Sequence, residues 1–314
     1  MRVVYLGTPA AAVPPLNALL GSGHEVVAVV TRPDRPRDHR SGRPAPSPVK
    51  QVALDAGLPV LQPERGRDPA LPGQLAGLAA DVGVSCAFGL LLPPPVLAAF
   101  PRGVINLHFS LLPAYRGAAP VQRALLDGVE VTGVCTFLID EGVDTGPLLA
   151  CQQVPVLPEE DAGSLTARLA EVGAELVVST LDGLEKGTLR PRPQPERGAS
   201  LAPKVGPGEA RLDFEAPAER VVNAVRAFTP SPGAWTTFRG RRLKVLRARL
   251  APEPAGRPAL EPGRLRARAG GPLLVGTGDH PVELVTVQPE GRRPMSGEEF
   301  ARGARLGEEE WLGR

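Results

Sequence analysis

Five short runs in the first 110 residues, RVVYLG, EVVAVV, LPVLQ, DVGVSCAFG and GVINLH, are apolar almost without alternation. A strand with one wet face alternates apolar and polar residues, so runs of this kind belong to strands covered on both faces. Helix-period segments at 14–20, 48–55 and 94–100 separate them. The succession predicts an α/β fold with a doubly wound, mostly parallel sheet, in which ligands bind at the carboxyl ends of the strands.

After Gly117 the pattern changes. AAPVQRALLDG reads as a short helix, and VTGVCTFLI and GPLLACQQVPV as two strands joined by a turn at DEGVDTG. A long helix over 160–184 closes this half. GTLRPRPQPERGAS follows, with prolines at 191, 193 and 195 that stiffen it toward polyproline II geometry. Beyond Leu201 a helix, APAERVVNAVRAF, precedes AWTTFRGRRLKVLRARL, GRLRARAGGPLLVGT and PVELVTVQP, short strands spaced like a small β-barrel. The 314 residues exceed the size at which one core keeps growing. The expected division is a first domain at 1–186, a linker at 187–203 and a barrel domain at 204–314.

Composition adds further constraints. No run of about 18 apolar residues exists, and the N-terminus enters a strand directly, so a soluble, cytoplasmic protein is expected. Cys86, Cys135 and Cys151 lie in apolar segments at spacings that match neither a CxxC pair nor a zinc site. Buried, reduced thiols and no bound metal are expected. The formal net charge of +2 conceals an uneven distribution: residues 200–314 hold 19 Lys and Arg against 14 Asp and Glu. Ten of those basic residues fall between Arg239 and Arg268, with only Glu253 and Glu261 among them. Such a local basic stretch fits a polyanionic partner.

Some chemistries lack their motifs. GTP at 7–9 follows the first strand, but no GxGxxG, acidic ribose ligand, Walker A loop or GxSxG elbow occurs. NLHFSLLP instead places Asn106 and His108 two apart at the end of a strand, so both project from one face at the ligand-binding edge. An amide N–H can stabilise an oxyanion while an imidazole moves protons. Asp144, in EGVDTGPLL, reads by itself as a turn aspartate bonding its own backbone. If its loop folds back over the carboxyl edge of the sheet, the carboxylate orients His108. The three residues then form a catalytic set without a nucleophilic Ser or Cys, suited to direct group transfer between bound substrates.

INLHFSLLPAYRGAAPVQRAL, TGV and GVDTG resemble the signature of the 10-formyltetrahydrofolate-dependent formyltransferases, Asn-x-His-x-Ser-Leu-Leu-Pro with a downstream Asp-x-Gly. The resemblance continues through PDRP, PSPVK, AFGLLLP, EARLDF and VRAFTPSPGAW. It implies a Rossmann-like transferase domain followed by an OB-like barrel, 10-formyltetrahydrofolate as formyl donor, and a folate wall of Ser110, Leu111, Leu112 and Pro113. It also implies that His108 carries protons between attacking amine and leaving nitrogen, that Asn106 donates to the oxyanion, and that Asp144 orients the imidazole. RGAAPVQR and the basic barrel resemble the branch of the family that formylates initiator methionyl-tRNA for translation initiation. Transfer to a small-molecule amine, a sugar nucleotide or ribonucleotide, is the alternative. A non-catalytic RNA-binding relative would have lost Asn106, His108 or Asp144. A monomer is expected.

Two sets of residues are expected to meet the tRNA. The loop TRPDRPRDHRSGRPAPSP is arginine-rich, and either Arg40 or Arg43 holds the position that, in the resembled family, enters the acceptor-stem end. The second set is Lys204 with Arg239, Arg241, Arg242 and Lys244, continued by Arg247 and Arg249. Strand alternation places Arg239 and Arg241 on one face with Leu243 and Val245, and Arg242 and Lys244 on the other. Phe109, pointing away from the face of His108, is expected to pack into neighbouring structure.

Overall fold

In the computed structural model, which describes residues 1–36, 44–252, 260–267, 271–307 and 309–314, the apolar runs form one seven-stranded sheet. Its strands are β1 (Arg2–Gly7), β2 (Glu25–Val30), β5 (Val60–Leu61), β6 (Val82–Cys86), β7 (Val104–His108), β8 (Val131–Leu138) and β9 (Leu148–Pro155), in the order β5-β2-β1-β6-β7-β8-β9. The first five are mutually parallel, and β8 and β9 add antiparallel. Strand order reverses between β1 and β6, the switch point of a doubly wound sheet. Between β2 and β5, β3 (Arg35–Pro36) and β4 (Pro44–Ala45) form a separate antiparallel pair. All five residues of β6 are buried, which is why its sequence carries no alternation.

Helices α1 (Val13–Leu20), α2 (Pro48–Asp55), α3 (Leu71–Gly77) and α4 (Pro94–Leu97) alternate with these strands. Ser47 caps α2 by accepting from Lys50 N, with Pro48 at the first position. Sequence periodicity does not announce α3, because the prolines and glycines of LPGQLAG dilute its signal. It forms because Leu71 and Leu75, four apart on one face, are buried in a cluster with Leu6, Val30 and Phe100.

By internal contacts the chain divides into two units: Met1–Gly117, Val131–Pro155 and Thr166–Ala202 form the first, and Ala118–Glu130, Val156–Leu165 and Pro203–Arg314 the second. Helix α5 (Pro120–Leu126) belongs to the second unit, and α6 (Ala162–Glu185) begins in the second and continues in the first. Thr180 on α6 meets Thr136 of β8 by a buried hydroxyl pair 2.9 Å apart. Among the described residues, no helix is long and apolar enough to cross a membrane.

The cysteines depart from expectation. Cys135 and Cys151 are joined by a disulfide, whereas Cys86 is free and buried. The register of β8 on β9 sets Cys135 opposite Cys151 with Cα atoms 4.1 Å apart, the short spacing of a non-hydrogen-bonded antiparallel pair. Sequence spacing could not give this, because the register depends on the hairpin loop and on an irregularity between Thr136 and Phe137.

In the second unit, α7 (Ala218–Phe228) turns Val221, Val225 and Phe228 inward. Strands β10 (Trp235–Phe238), β11 (Arg241–Leu250), β12 (Leu265–Arg266), β13 (Leu274–Val275) and β14 (Val282–Pro289) form an antiparallel sheet ordered β10-β11-β14-β13-β12, with β15 (Met295–Ser296) on β14. Helix α8 (Gly297–Ala304) starts with a capping box between Ser296 and Glu299. Two bridges close the open sheet into a barrel: Phe238 to Leu312 at one edge, and Arg264 to Trp311 beside the other.

Candidate active site

β7 runs between β6 and β8, with Asn106 opposite Phe137 and His108 opposite Cys135, so these four side chains leave one face of the sheet. His108 is 5% exposed and stands edge-on to the Phe137 ring, centroids 6.4 Å apart. The chain then turns sharply through a cis peptide at Leu112-Pro113. Ser110 braces the turn, its fully buried hydroxyl donating to Ala114 O at 2.6 Å.

That turn delivers Tyr115 O to within 2.8 Å of His108 Nε2. A carbonyl only accepts, which assigns a proton to Nε2 and leaves Nδ1 as the atom available for proton exchange. Nδ1 faces Asp144 Oδ2 at 3.6 Å, beyond hydrogen-bond length but within ion-pair range. The loop of Asp144 folds back over this edge of the sheet and so brings the carboxylate beside His108.

Asp144 occupies a left-handed conformation, φ +52°, which costs a non-glycine residue about 1–2 kcal/mol. Several contacts hold it there. Gly117 N donates to Asp144 Oδ2 at 2.7 Å, from a φ of +124° that favours glycine. Gly146 passes so close to β8 that an added Cβ would lie 1.7 Å from Leu138 O. Asp140 Oδ1 accepts from Thr145 Oγ1 and Gly142 N, tying the near side of the loop. On the far side, Gln194 Nε2 donates to Asp144 O and Gly146 O, both at 2.8 Å.

Sequence reasoning misses Gln194 and its neighbours, because the proline-rich segment reads as a spacer. It pairs with the first unit instead: Arg192 exchanges two backbone bonds with Leu148, Arg116 N donates to Ser200 O, and Ala202 N donates to Arg116 O. The only signal available was one amide among prolines.

The expected folate residues fall at the same edge. Leu112 is buried against Cys135 and Phe137 with Leu111 packed beside them, and Pro113 is half-buried. After β6, Ala87 and Gly89 take left-handed backbone angles, and Leu91 in this segment is left 85% exposed. Phe109 is buried, as expected.

The expected basic residues separate into two kinds. Arg40 and Arg43 lie outside the described residues. Arg239 sits in the turn before β11 rather than in the strand, bonded to Glu310 and stacked on Phe238. Arg241 approaches Glu290 at 3.8 Å, Arg247 pairs with Glu159, and Arg249 donates two bonds to Glu283. The basic stretch is therefore less free than local charge counting suggests, because its acidic partners come from distant parts of the chain. Arg242 and Lys244 have no carboxylate partner among the described residues, and Lys204 is exposed. Arg242 lies over the Trp235 ring at 4.4 Å and Arg211, which sequence reasoning did not select, at 5.8 Å. Lys244 is the cross-strand partner of Trp235, so these groups make one basic face with an aromatic centre.

Residues 1–181 match the family model described as formyl transferase, and residues 204–305 the one described as formyl transferase, C-terminal domain. The chain is similar to the methionyl-tRNA formyltransferase of Frankia casuarinae, 50% identical over 326 residues covering 100% of this chain and 96% of that protein. It is equally similar to that of Streptomyces coelicolor, 50% identical over 314 residues and 100% of both chains. Among solved structures it resembles HypX from Aquifex aeolicus in complex with tetrahydrofolic acid, with a TM-score of 0.66, 19% identity and 96% of this chain covered. The match covers 47% of the HypX chain, so this chain spans about half its length, and the likeness speaks to the fold alone.

Proposed function

The chain belongs to the formyl transferase family, and from that premise we infer that it moves a formyl group from 10-formyltetrahydrofolate to the amino group of initiator methionyl-tRNA, acting as a cytoplasmic monomer. Residues 1–186 are assigned to catalysis and 204–314 to tRNA binding, with 187–203 between them. The observation that carries the chemistry is the orientation of His108. Its Nε2–H is occupied by Tyr115 O, while Nδ1 faces the Asp144 carboxylate.

The residues then divide the work. As the amine bonds to the formyl carbon, negative charge moves to the formyl oxygen, where the Asn106 amide donates. His108 Nδ1 takes the proton the amine sheds and returns it to N10 of the folate as the carbon–N10 bond breaks. Asp144 balances the imidazolium in between. Leu111 and Pro113 supply one wall for the folate, backed by the buried Ser110 and Leu112, and the exposed Leu91 suits a flat apolar ring. Arg242 and Lys244, with Lys204, supply the tRNA face, and Arg239 and Arg241 extend it. Arg40 or Arg43 is proposed for the acceptor-stem end.

Incubation with 10-formyltetrahydrofolate and either charged initiator tRNA or small amines tests the reading. Formyl should appear on the methionyl-tRNA; formyl on the small amines alone would overturn it.

A further inference from the structure

Gln194 lies in the proline-rich stretch, outside both spans that match family models. We propose that it is a positioning residue for Asp144, setting the distance between that carboxylate and His108. The proposal rests on the roles given above to Asp144 and His108.

The carboxamide is bonded at every position that fixes its direction. Its nitrogen donates to Asp144 O and Gly146 O at 2.8 Å each, and its oxygen accepts from Arg116 Nε at 3.1 Å and Arg116 Nη2 at 2.7 Å. Turning the amide over would face its oxygen to two carbonyls and its nitrogen to a guanidinium, so the partners permit one orientation. The two carbonyls it grips flank Thr145, at a point where Asp144 is held in a left-handed conformation. Released from this grip, the backbone of Asp144 can relax, and its carboxylate leaves the position from which Oδ2 meets both Gly117 N and the His108 ring. Arg116 completes the device. Its own backbone is fixed by Ser200 and Ala202, and it lies next to Gly117, so one short segment orients the clamp and donates to the clamped carboxylate.

Gln194→Glu tests this with little change of shape. It keeps an acceptor for Arg116 but sets a carboxylate oxygen against two carbonyl oxygens. Gln194→Met removes all four bonds at similar length, and decides the matter if the first variant does not fold. Each is measured in the full chain for kcat, for the Michaelis constants of the folate donor and the methionyl-tRNA acceptor, and for thermal stability, alone and combined with Asp144→Asn. Misplacing a reacting group by about 1 Å can cost roughly 100-fold. A kcat lower by about 10- to 100-fold is expected, with both Michaelis constants within about twofold of the unaltered values. In the Asp144→Asn background the Gln194 change should cost less than about twofold more, because the group it positions is already disabled. Unchanged kcat in a folded variant, or losses that multiply with that of Asp144→Asn, would overturn the positioning role. Near-normal turnover of Asp144→Asn alone would instead overturn the reading of Asp144, and the clamp with it.

Discussion

Replacing Arg242 and Arg249 one at a time separates the two kinds of arginine on β11. Arg242 stacks on Trp235 and has no carboxylate partner among the described residues, so its charge is available to a phosphate. Each phosphate neutralised contributes about 0.9 to the slope of log K against log salt. Arg242→Ala should therefore flatten the slope by about 0.9, and a fourfold rise in salt should weaken tRNA binding about 3.5-fold less than in the unaltered chain. Arg249 is already committed, through bonds of 2.9 and 3.0 Å to Glu283, which is only 9% exposed. Arg249→Ala strands that carboxylate at a cost of about 1–3 kcal/mol, while leaving the slope unchanged. Titration of charged initiator tRNA over a salt series reads the slope, and thermal unfolding reads the stability. The reasoning fails if both variants flatten the slope equally, or if Arg249→Ala unfolds at the temperature of the unaltered chain.

His108→Ala should fold normally and lose activity by roughly 10²- to 10⁴-fold in single-turnover formylation. Gly146→Ala should lower turnover while conserving the overall circular dichroism spectrum, because its Cβ would meet Leu138 O and displace the Asp144 loop. Mass analysis after alkylation should find the Cys135–Cys151 pair blocked without reductant. Burial pushes the Cys86 thiol up to about 12, so it stays protonated and unlabelled at pH 8 in the native protein and reacts only after unfolding.

The parallel strands were legible because burial on both faces writes itself into consecutive residues, as in VGVSC of β6. Asn106 and His108 were legible as neighbours because strand periodicity is local. What escaped was set by partners distant in sequence. α3 depends on the cluster that receives Leu71 and Leu75, and the disulfide on a hairpin register. The pairing of Arg247 with Glu159 spans 88 residues, so counting charge within a stretch overstated how much of it was free. Gln194 reaches Asp144 across 50 residues, and Tyr115 turns a carbonyl, which no side-chain pattern records, toward His108.

The strap from Arg192 to Ala202 bears on how this protein can be taken apart and recombined. The first family match ends at residue 181 and the second begins at 204, which invites a chimera joined at the end of the first. A first half cut there would lack Gln194 for the Asp144 loop, and Ser200 and Ala202 for the segment that reaches His108. A seam after Ala202 keeps that strap with the first unit, although Ala118–Glu130 and Val156–Leu165 of the second unit lie before it. A graft made at that point carries the frame around His108 with it, and the incoming half has to cover α5 as α7 does in this chain.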